Sequence, residues 1–180
     1  AATYDGTHLV VNADVAVGGG PLLHAEASGD VPLPALLAGN FDALGGLRTA
    51  PWRLHVSAPV RRLDRLPRPW GDYTEDLPVS VGGDLLIEGG GAEGTHGELH
   101  ATGSWVGDES ALACARSASP HFMVAATLAG GVVSATARGF VDPVDAAVEA
   151  RATAPLPVDE WIAAGAIPST LPAVHLDASF

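Results

Sequence analysis

Residues 79–105 read VSVGGDLLIEGGGAEGTHGELHATGSW, and two alternating patterns in this stretch decide the fold. Apolar and polar residues alternate from Val79 to Ile87, and they alternate again from His96 to Trp105. The glycines between them, Gly89–Gly94, spell G-x-G-x-x-G, but a dinucleotide site requires a helix directly after that motif. Here a second strand pattern follows. The stretch therefore predicts a β-hairpin and not a cofactor loop.

The same period-two alternation recurs along the whole chain, as expected for strands with one buried face. Nine or ten such strands must either close on themselves or stack as two sheets. We therefore predict an all-β fold, an antiparallel β-barrel of roughly 8–10 strands with one or two short helices, and a β-sandwich as the alternative. The apolar stripes begin at Leu9, Leu23, Trp52, Val79, Phe122, Val133, Val148 and Val174.

Helical patterns are few, and the strongest covers Val158–Gly165, with weaker ones at Ala35–Leu44 and Glu109–Arg116. A length of 180 residues fits a single domain, 1–180. Pro-Leu-Pro followed by a helical pattern occurs twice. An internal duplication that relates 8–50 to 121–170 is one interpretation, and similarity by glycine-rich composition alone is the other.

Charge and cysteine content exclude several classes of function. The chain has 21 acidic residues against nine basic ones, all arginine, and a net charge of -12. Without lysine there is no Schiff-base chemistry, and the negative charge argues against nucleic-acid and membrane partners. Cys114 stands alone, so no intramolecular disulfide forms, and Ala1–Gly6 lacks a signal-peptide pattern. We expect a cytoplasmic protein.

His96, Glu98 and His100 are close to the H-E-x-x-H order of zinc proteases, which requires a helix. In a strand, alternate residues lie about 6.6 Å apart, so the two histidines are too far apart to share a metal ion. A solvated strand face is the favoured interpretation, with acid/base or metal function as alternatives. We predict neither a metal site nor a cofactor.

Pro59–Pro78 is predicted to be a long loop rich in arginine and aromatic residues. Such a loop suits a lid that holds an anionic group through forked hydrogen bonds and covers an apolar body, unless its arginines pair with its own acids. Tryptophans in the apolar stripes fill a core or line a cavity, and small inward side chains would leave room for one. The candidate catalytic residues are Tyr73 and Trp105, and the candidate substrate-binding residues are Trp52, Trp70, Arg65, Arg68 and Phe122.

The serial alternating strands, the stretch RPWGDYTED (68–76) and a composition rich in alanine, glycine and arginine without lysine carry a resemblance. In these features the chain resembles the compact bacterial β-barrel cyclases of polyketide pathways, the spirotetronate and polyether Diels–Alderase-type proteins. The resemblance implies a cofactor-independent [4+2] cyclase of antibiotic biosynthesis that orients an apolar polyketide-like substrate. A tyrosine, tryptophan or acid of such an enzyme hydrogen-bonds the activating carbonyl.

Three alternatives to the cyclase remain open at this stage. The first is a non-catalytic, lipocalin-like carrier of an apolar small molecule, and the second is a metal-dependent barrel enzyme. The third is an interaction module that uses an exposed sheet face. A homodimer is compatible with each of them.

Overall fold

The computed structural model describes residues 1–17, 20–40, 49–65, 78–91, 94–105, 120–140, 146–164 and 173–179. In these ranges the chain forms ten β-strands, two short α-helices and one 3-10 turn. The helices are α1 (Leu33–Leu37) and α2 (Val158–Ala164), and the 3-10 turn is Leu63–Arg65. The strands are β1 (Ala2–Tyr4), β2 (His8–Val17), β3 (Gly20–Asp30), β4 (Trp52–Arg62), β5 (Val79–Gly89), β6 (His96–Trp105), β7 (His121–Ala129), β8 (Val132–Phe140), β9 (Ala146–Pro155) and β10 (His175–Ser179).

The ten strands form one antiparallel sheet in which each strand pairs with its neighbour in sequence, from β1 to β10. The predicted all-β class, the antiparallel pairing, the number of strands and the short helices are confirmed. No ladder joins β1 to β10 within the described residues, so hydrogen bonding does not close this sheet into a barrel. Alternation determines which residues share a face, but closure depends on strand tilt and stagger, which alternation leaves undefined.

The register places the predicted apolar stripes on one side of the sheet, which we call the apolar face, and the other side is the polar face. The hairpin predicted from the glycines after β5 is present, and Gly130 and Gly131 form the β7–β8 turn with φ of 56° and 72°. Positive φ at both positions suits a two-residue hairpin turn. One row across the apolar face consists of Val11, Ala27, Leu54, Ile87, Gly97, Leu128 and Val133.

Helix α2 is hydrogen-bonded to the β5–β6 connection through a single carboxylate. Asp159 accepts hydrogen bonds from the Thr95 backbone N–H at 3.1 and 3.2 Å and from Thr95 Oγ1 at 2.6 Å. Thr95 is 3% exposed. Helix α1 also lies at this end of the strands, directly after β3. We call it the helix end and define it by Trp52, Thr95 and Leu128, and we call the opposite end, defined by Arg61, Trp105 and Phe122, the arginine end.

The helices differ from their predictions mainly in length. Helix α2 matches the predicted Val158–Gly165 to within one residue, whereas α1 begins earlier than the predicted Ala35–Leu44 and ends at Leu37. Pro34 lies in the first turn of α1, where the missing N–H costs nothing. Residues 41–44 and the predicted helix 109–116 lie outside the described residues.

The predicted loop Pro59–Pro78 begins as a strand, which corrects the sequence interpretation. Strand β4 continues through Arg62 and is followed by the 3-10 turn, and residues 66–77 lie outside the described ranges. The segment was predicted to be a loop from its arginines, aromatic residues and prolines. Pro59 is accommodated in β4 because a β-bulge follows Ala58.

Most described side chains of the apolar face are partly exposed, and few are fully buried. Leu128, at 8% exposure, is the buried hydrophobic residue among the described residues, whereas Trp105 and Leu176 are 45% and 70% exposed. The expected enclosed hollow is thus replaced, in the described part of the chain, by a face open to solvent. Within the same ranges, no helix has the length and apolar character needed to cross a membrane.

Candidate ligand-binding face

Open depressions lie on the described part of the sheet, and four of them are lined by neighbouring strands. The largest of these four has a volume of about 340 Å³ and spans β3 to β6. A second, of about 200 Å³, spans β5 to β9 at the arginine end. The other two, of about 170 and 160 Å³, lie toward the helix end, one over β2 to β4 and one over β5 to β8. Together they extend across most of the strands of the sheet.

Two aromatic rings lie against glycines of adjacent strands, which explains both the glycines and the shallow relief of the face. The Phe122 ring occupies the space that a Cβ of Gly103 would need, and the Trp52 ring does the same at Gly89. These glycines are the direct cross-strand partners of the aromatic residues. A larger residue at either position would push the ring outward, away from the sheet.

The structure brings together two of the predicted site residues. Trp105 and Phe122 line the same 200 Å³ depression, which also contains Phe140. Trp52 lines a different depression at the helix end. Its Nε1 atom is buried and has no hydrogen-bond partner. Arg65 is exposed on the 3-10 turn, apart from both depressions, and Arg68, Trp70 and Tyr73 lie outside the described residues.

Arg61 is the residue that the sequence interpretation missed. Ala58 pairs with Gly83 and Arg61 pairs with Val81, so two residues of β4 lie opposite one residue of β5. In a regular ladder Val60 would face the apolar side and Arg61 the polar side, because the side-chain period of a strand is two. The bulge reverses this order and places Arg61 on the apolar face.

The Arg61 side chain lies across the apolar face toward β3. Its guanidinium occupies the space beside Gly20, where a Cβ would overlap it. Arg61 also lines the largest depression together with the apolar residues Leu22 and Leu63. Asp84 borders the same depression, but its carboxylate lies 3.7 Å from His55 Nε2 on the polar face.

The polar face carries histidines that lie close to carboxylates of the same strand or of a neighbouring strand. His24 Nδ1 lies 2.7 Å from Asp14, and His8 Nδ1 lies 2.9 Å from Asp30. His100 is 3.8 Å from Glu98, and both side chains are well exposed, as the prediction of a solvated face requires. Among the described residues no group of three or more metal-ligating side chains comes together.

Two ion-pair groups shift carboxyl pKa values at the arginine end. The main cause of the lowered pKa of Glu149 is the side-chain hydrogen bond from Arg138, at 2.9 Å. A second hydrogen bond, from Arg151 at 2.8 Å, lowers this pKa further. Beside the 3-10 turn, the Arg62 Nε donates to Asp64 at 2.9 Å and lowers the pKa of that carboxyl. Neither carboxyl lines a depression described above, so both act within the scaffold.

Comparison with known proteins gives no family assignment, because no protein-family model, curated protein or solved structure matches the chain. The site therefore has to be interpreted from its own chemistry. Its surface is an open apolar strip with aromatic rings and one arginine. Such a surface suits apolar molecules, and the titratable side chains among its described lining residues are Arg61, Asp84, Glu98 and His121.

Proposed function

We propose that this chain binds an elongated apolar molecule, such as an acyl or polyene chain, along its apolar face and acts as a carrier. The observation that carries the proposal is the partly exposed apolar face of a ten-stranded sheet. Each strand presents an apolar stripe, yet most of the described side chains in these stripes are only partly buried. A ligand laid across the strands would bury them.

The driving force would be the burial of apolar surface. Removing such surface from water contributes roughly 25 cal/mol per Å². Exposed apolar patches of more than a few hundred square ångströms are rare on monomers and mark binding sites. The depressions favour an elongated ligand because they lie in succession across the sheet and each one alone is small.

A second candidate, the [4+2] cyclase, is favoured by one observation. Trp105 and Phe122 line a common depression, where they could orient a flexible polyene, and the Trp105 indole N–H could donate to a carbonyl. The carrier is the stronger proposal because it requires only the apolar surface, whereas the cyclase also requires groups that activate the substrate. Turnover of a linear polyene, instead of stoichiometric binding, would favour the cyclase.

Adjacent leucines on β5 provide a matched test of the binding face. Leu85 lines two of the depressions, whereas Leu86 pairs with His55 and Glu98 on the polar face. Binding of a fluorescent polyene fatty acid is measured for the Leu85→Asn and Leu86→Asn variants, with circular dichroism as the check on folding. We expect Leu85→Asn to weaken binding about tenfold or more, since a buried contact of roughly 1.5–3 kcal/mol is lost. Leu86→Asn should leave binding unchanged.

The same samples distinguish the other occupants of the face. Equal binding by both variants and the wild type would rule out the apolar face as the ligand site. Concentration-dependent dimerisation that Leu85→Asn abolishes, without ligand binding, would show that a second copy of the chain covers the face instead.

A further inference from the structure

We propose that the chain forms a two-fold symmetric homodimer through β10, whose outer edge pairs antiparallel with β10 of a second copy. In this pairing Leu176 lies on the two-fold axis, and His175 of each copy lies opposite Asp177 of the other. The dimer does not require ligand binding. It goes beyond the carrier function because it assigns an interaction surface and its partner.

The outer edge of β10 is open in the part of the chain that the structure describes. One side of β10 pairs with β9, and no described strand pairs with the other side. The ladder to β9 runs from His175 to Ser179 without a bulge, and the strand contains no proline or lysine to block pairing. Val174 and Leu176 are 63% and 70% exposed. An open edge with exposed apolar side chains is a template for a strand of another chain.

The sequence of β10 is complementary to itself in one register. Residues directly opposite each other in an antiparallel pair lie on the same face, so a symmetric pairing with continuous faces places the axis at a residue. With Leu176 on the axis, Val174 lies opposite Ala178, and the apolar face continues across the interface. On the polar face, each His175 imidazole lies opposite an Asp177 carboxylate, to which it can donate a hydrogen bond.

The two neighbouring symmetric registers lack this complementarity. With Asp177 on the axis, two carboxylates would lie directly opposite each other, which destabilises a strand pair. With His175 on the axis, two imidazoles would face each other, and Ala173 would lie opposite Asp177. Charge and apolar character therefore both select the register centred on Leu176.

The other histidines of the sheet support the same pairing. Five of the seven lie 2.7 to 3.8 Å from a carboxylate of their own chain, and His121 stacks on Phe140. In the described ranges, neither His175 nor Asp177 takes part in a hydrogen bond or ion pair. Arg151, the cross-strand neighbour of Asp177, donates to Glu149 instead. The dimer gives His175 the kind of partner that the other polar-face histidines have.

A two-fold axis through β10 closes the assembly at two copies. Pairing of β10 with β1 of another copy would be head to tail and would continue into a filament. Strand β1, Ala2–Tyr4, has three residues without a charged side chain, so it offers no counterpart to His175 and Asp177. Because the axis is perpendicular to the sheet, the two apolar faces lie on the same side and form one wider face.

A disulfide between equivalent positions tests the register directly. In a Cys114→Ser background, Leu176→Cys places two thiols opposite each other, where Cα atoms lie about 4.5–5.5 Å apart, within reach of a disulfide. Ala178→Cys is the matched control on the same face, because its counterpart lies about 13 Å away along the strand. Under mild oxidation we expect Leu176→Cys to give the linked dimer at least about tenfold faster. Equal rates would overturn the register.

Sedimentation equilibrium of the full chain without ligand measures the dimer itself. We expect a reversible dimer whose fraction rises with protein concentration. Leu176→Glu should weaken it at least about tenfold, because two carboxylates replace an apolar contact at the axis. Val15→Glu, at a 42% exposed position of the apolar face on β2, should leave it unchanged. A wild type that stays monomeric up to its solubility limit would overturn the proposal.

A charge exchange tests the His175–Asp177 pairs. His175→Asp places like charges opposite each other in both pairs and should weaken the dimer roughly fivefold to tenfold. Adding Asp177→His restores opposite partners and should recover most of the loss. If the double variant is no better than the single one, the two residues do not face each other. Circular dichroism checks the folding of each variant, and the disulfide comparison remains decisive if a charged variant misfolds.

Other assemblies and the carrier function give different results in the same measurements. A dimer that Leu85→Asn abolishes and Leu176→Glu does not would be formed face to face, and assemblies larger than two copies would indicate head-to-tail pairing. Either result overturns the proposal. Binding of the fluorescent polyene fatty acid is measured in parallel. A Leu176-dependent dimer without ligand binding contradicts only the carrier, whereas ligand binding by a strictly monomeric wild type contradicts only the dimer.

Discussion

The two ends of this sheet are built from the same strands but differ in how they are covered. At the helix end, Leu128 and Thr95 are buried, and α2 is held by Asp159. At the arginine end, Trp105 is 45% exposed on the same face. The difference shows that strand pairing alone leaves a large apolar side chain such as Trp105 exposed. We expect stability to depend on the helix end and binding on the arginine end.

Loss of the Asp159 carboxylate should have the largest effect. Asp159→Ala leaves the Thr95 N–H and hydroxyl without their acceptor in a buried position, which should reduce the free energy of unfolding by about 2–3 kcal/mol. Glu160→Ala, on the next and exposed residue, is the control and should change it little. Urea unfolding followed by circular dichroism measures both. Equal destabilisation by the two variants would mean that α2 does not stabilise the helix end through this contact.

Tryptophans at the two ends allow a direct comparison. Trp52→Ala removes a ring that lies against Gly89 and should cost about 2 kcal/mol, whereas Trp105→Ala should cost less because that residue is 45% exposed. Trp52→Phe should retain most of the stability, since the buried Nε1 has no partner to lose. Thermal unfolding of the three variants provides the ranking. A greater loss in Trp105→Ala than in Trp52→Ala would reverse the assignment of the two ends.

A methyl group at Gly103 should disturb the arginine end specifically. The added Cβ overlaps the Phe122 ring, so we expect Gly103→Ala to cost about 1–2 kcal/mol and to tilt the ring away from the sheet. In the Phe122→Leu background the cost of Gly103→Ala should be smaller. A double-mutant cycle by chemical denaturation measures this coupling, and additive losses would show that the ring does not lie against the glycine.

The smallest effect concerns Glu149 and depends on pH. Its folded-state pKa is lowered, chiefly by the Arg138 hydrogen bond, so the pair stabilises the fold above the unfolded value near 4.5. This contribution is lost as the pH falls through the lower folded pKa. Glu149→Gln should therefore be slightly less stable than the wild type at pH 7 and converge with it in acid, as thermal unfolding between pH 7 and 3 would show. The control is Glu98→Gln, which removes a carboxylate that lies 3.8 Å from the exposed His100. If the Glu149→Gln difference does not shrink in acid, the pair is not its source.

Much of the fold could be predicted from alternation. The strand stripes and the β5–β6 hairpin follow from residue spacing because one side of each strand is apolar. Helix α2 follows from its own helical pattern. Closure of the sheet could not be predicted, since it depends on tilt and stagger and not on which residues alternate.

The candidate site was predictable only in part. Trp105 and Phe122 were found because large aromatic residues in an apolar stripe mark either a core or a binding surface. Arg61 was assigned to a loop because it lies in the arginine- and aromatic-rich segment Pro59–Pro78, and a bulge has no reliable signature in a single sequence. One extra residue reversed the faces of everything that follows it on β4.

The unbroken order of the strands has a consequence for how the chain reaches its native state. The short hairpins lose little entropy before their contacts form, whereas the connections after β3, β4, β6 and β9 are longer. Pairing between neighbours in sequence allows stepwise folding by the addition of successive hairpins. It also means that a hairpin could be gained or lost without rethreading the remainder, which would lengthen or shorten the sheet one unit at a time.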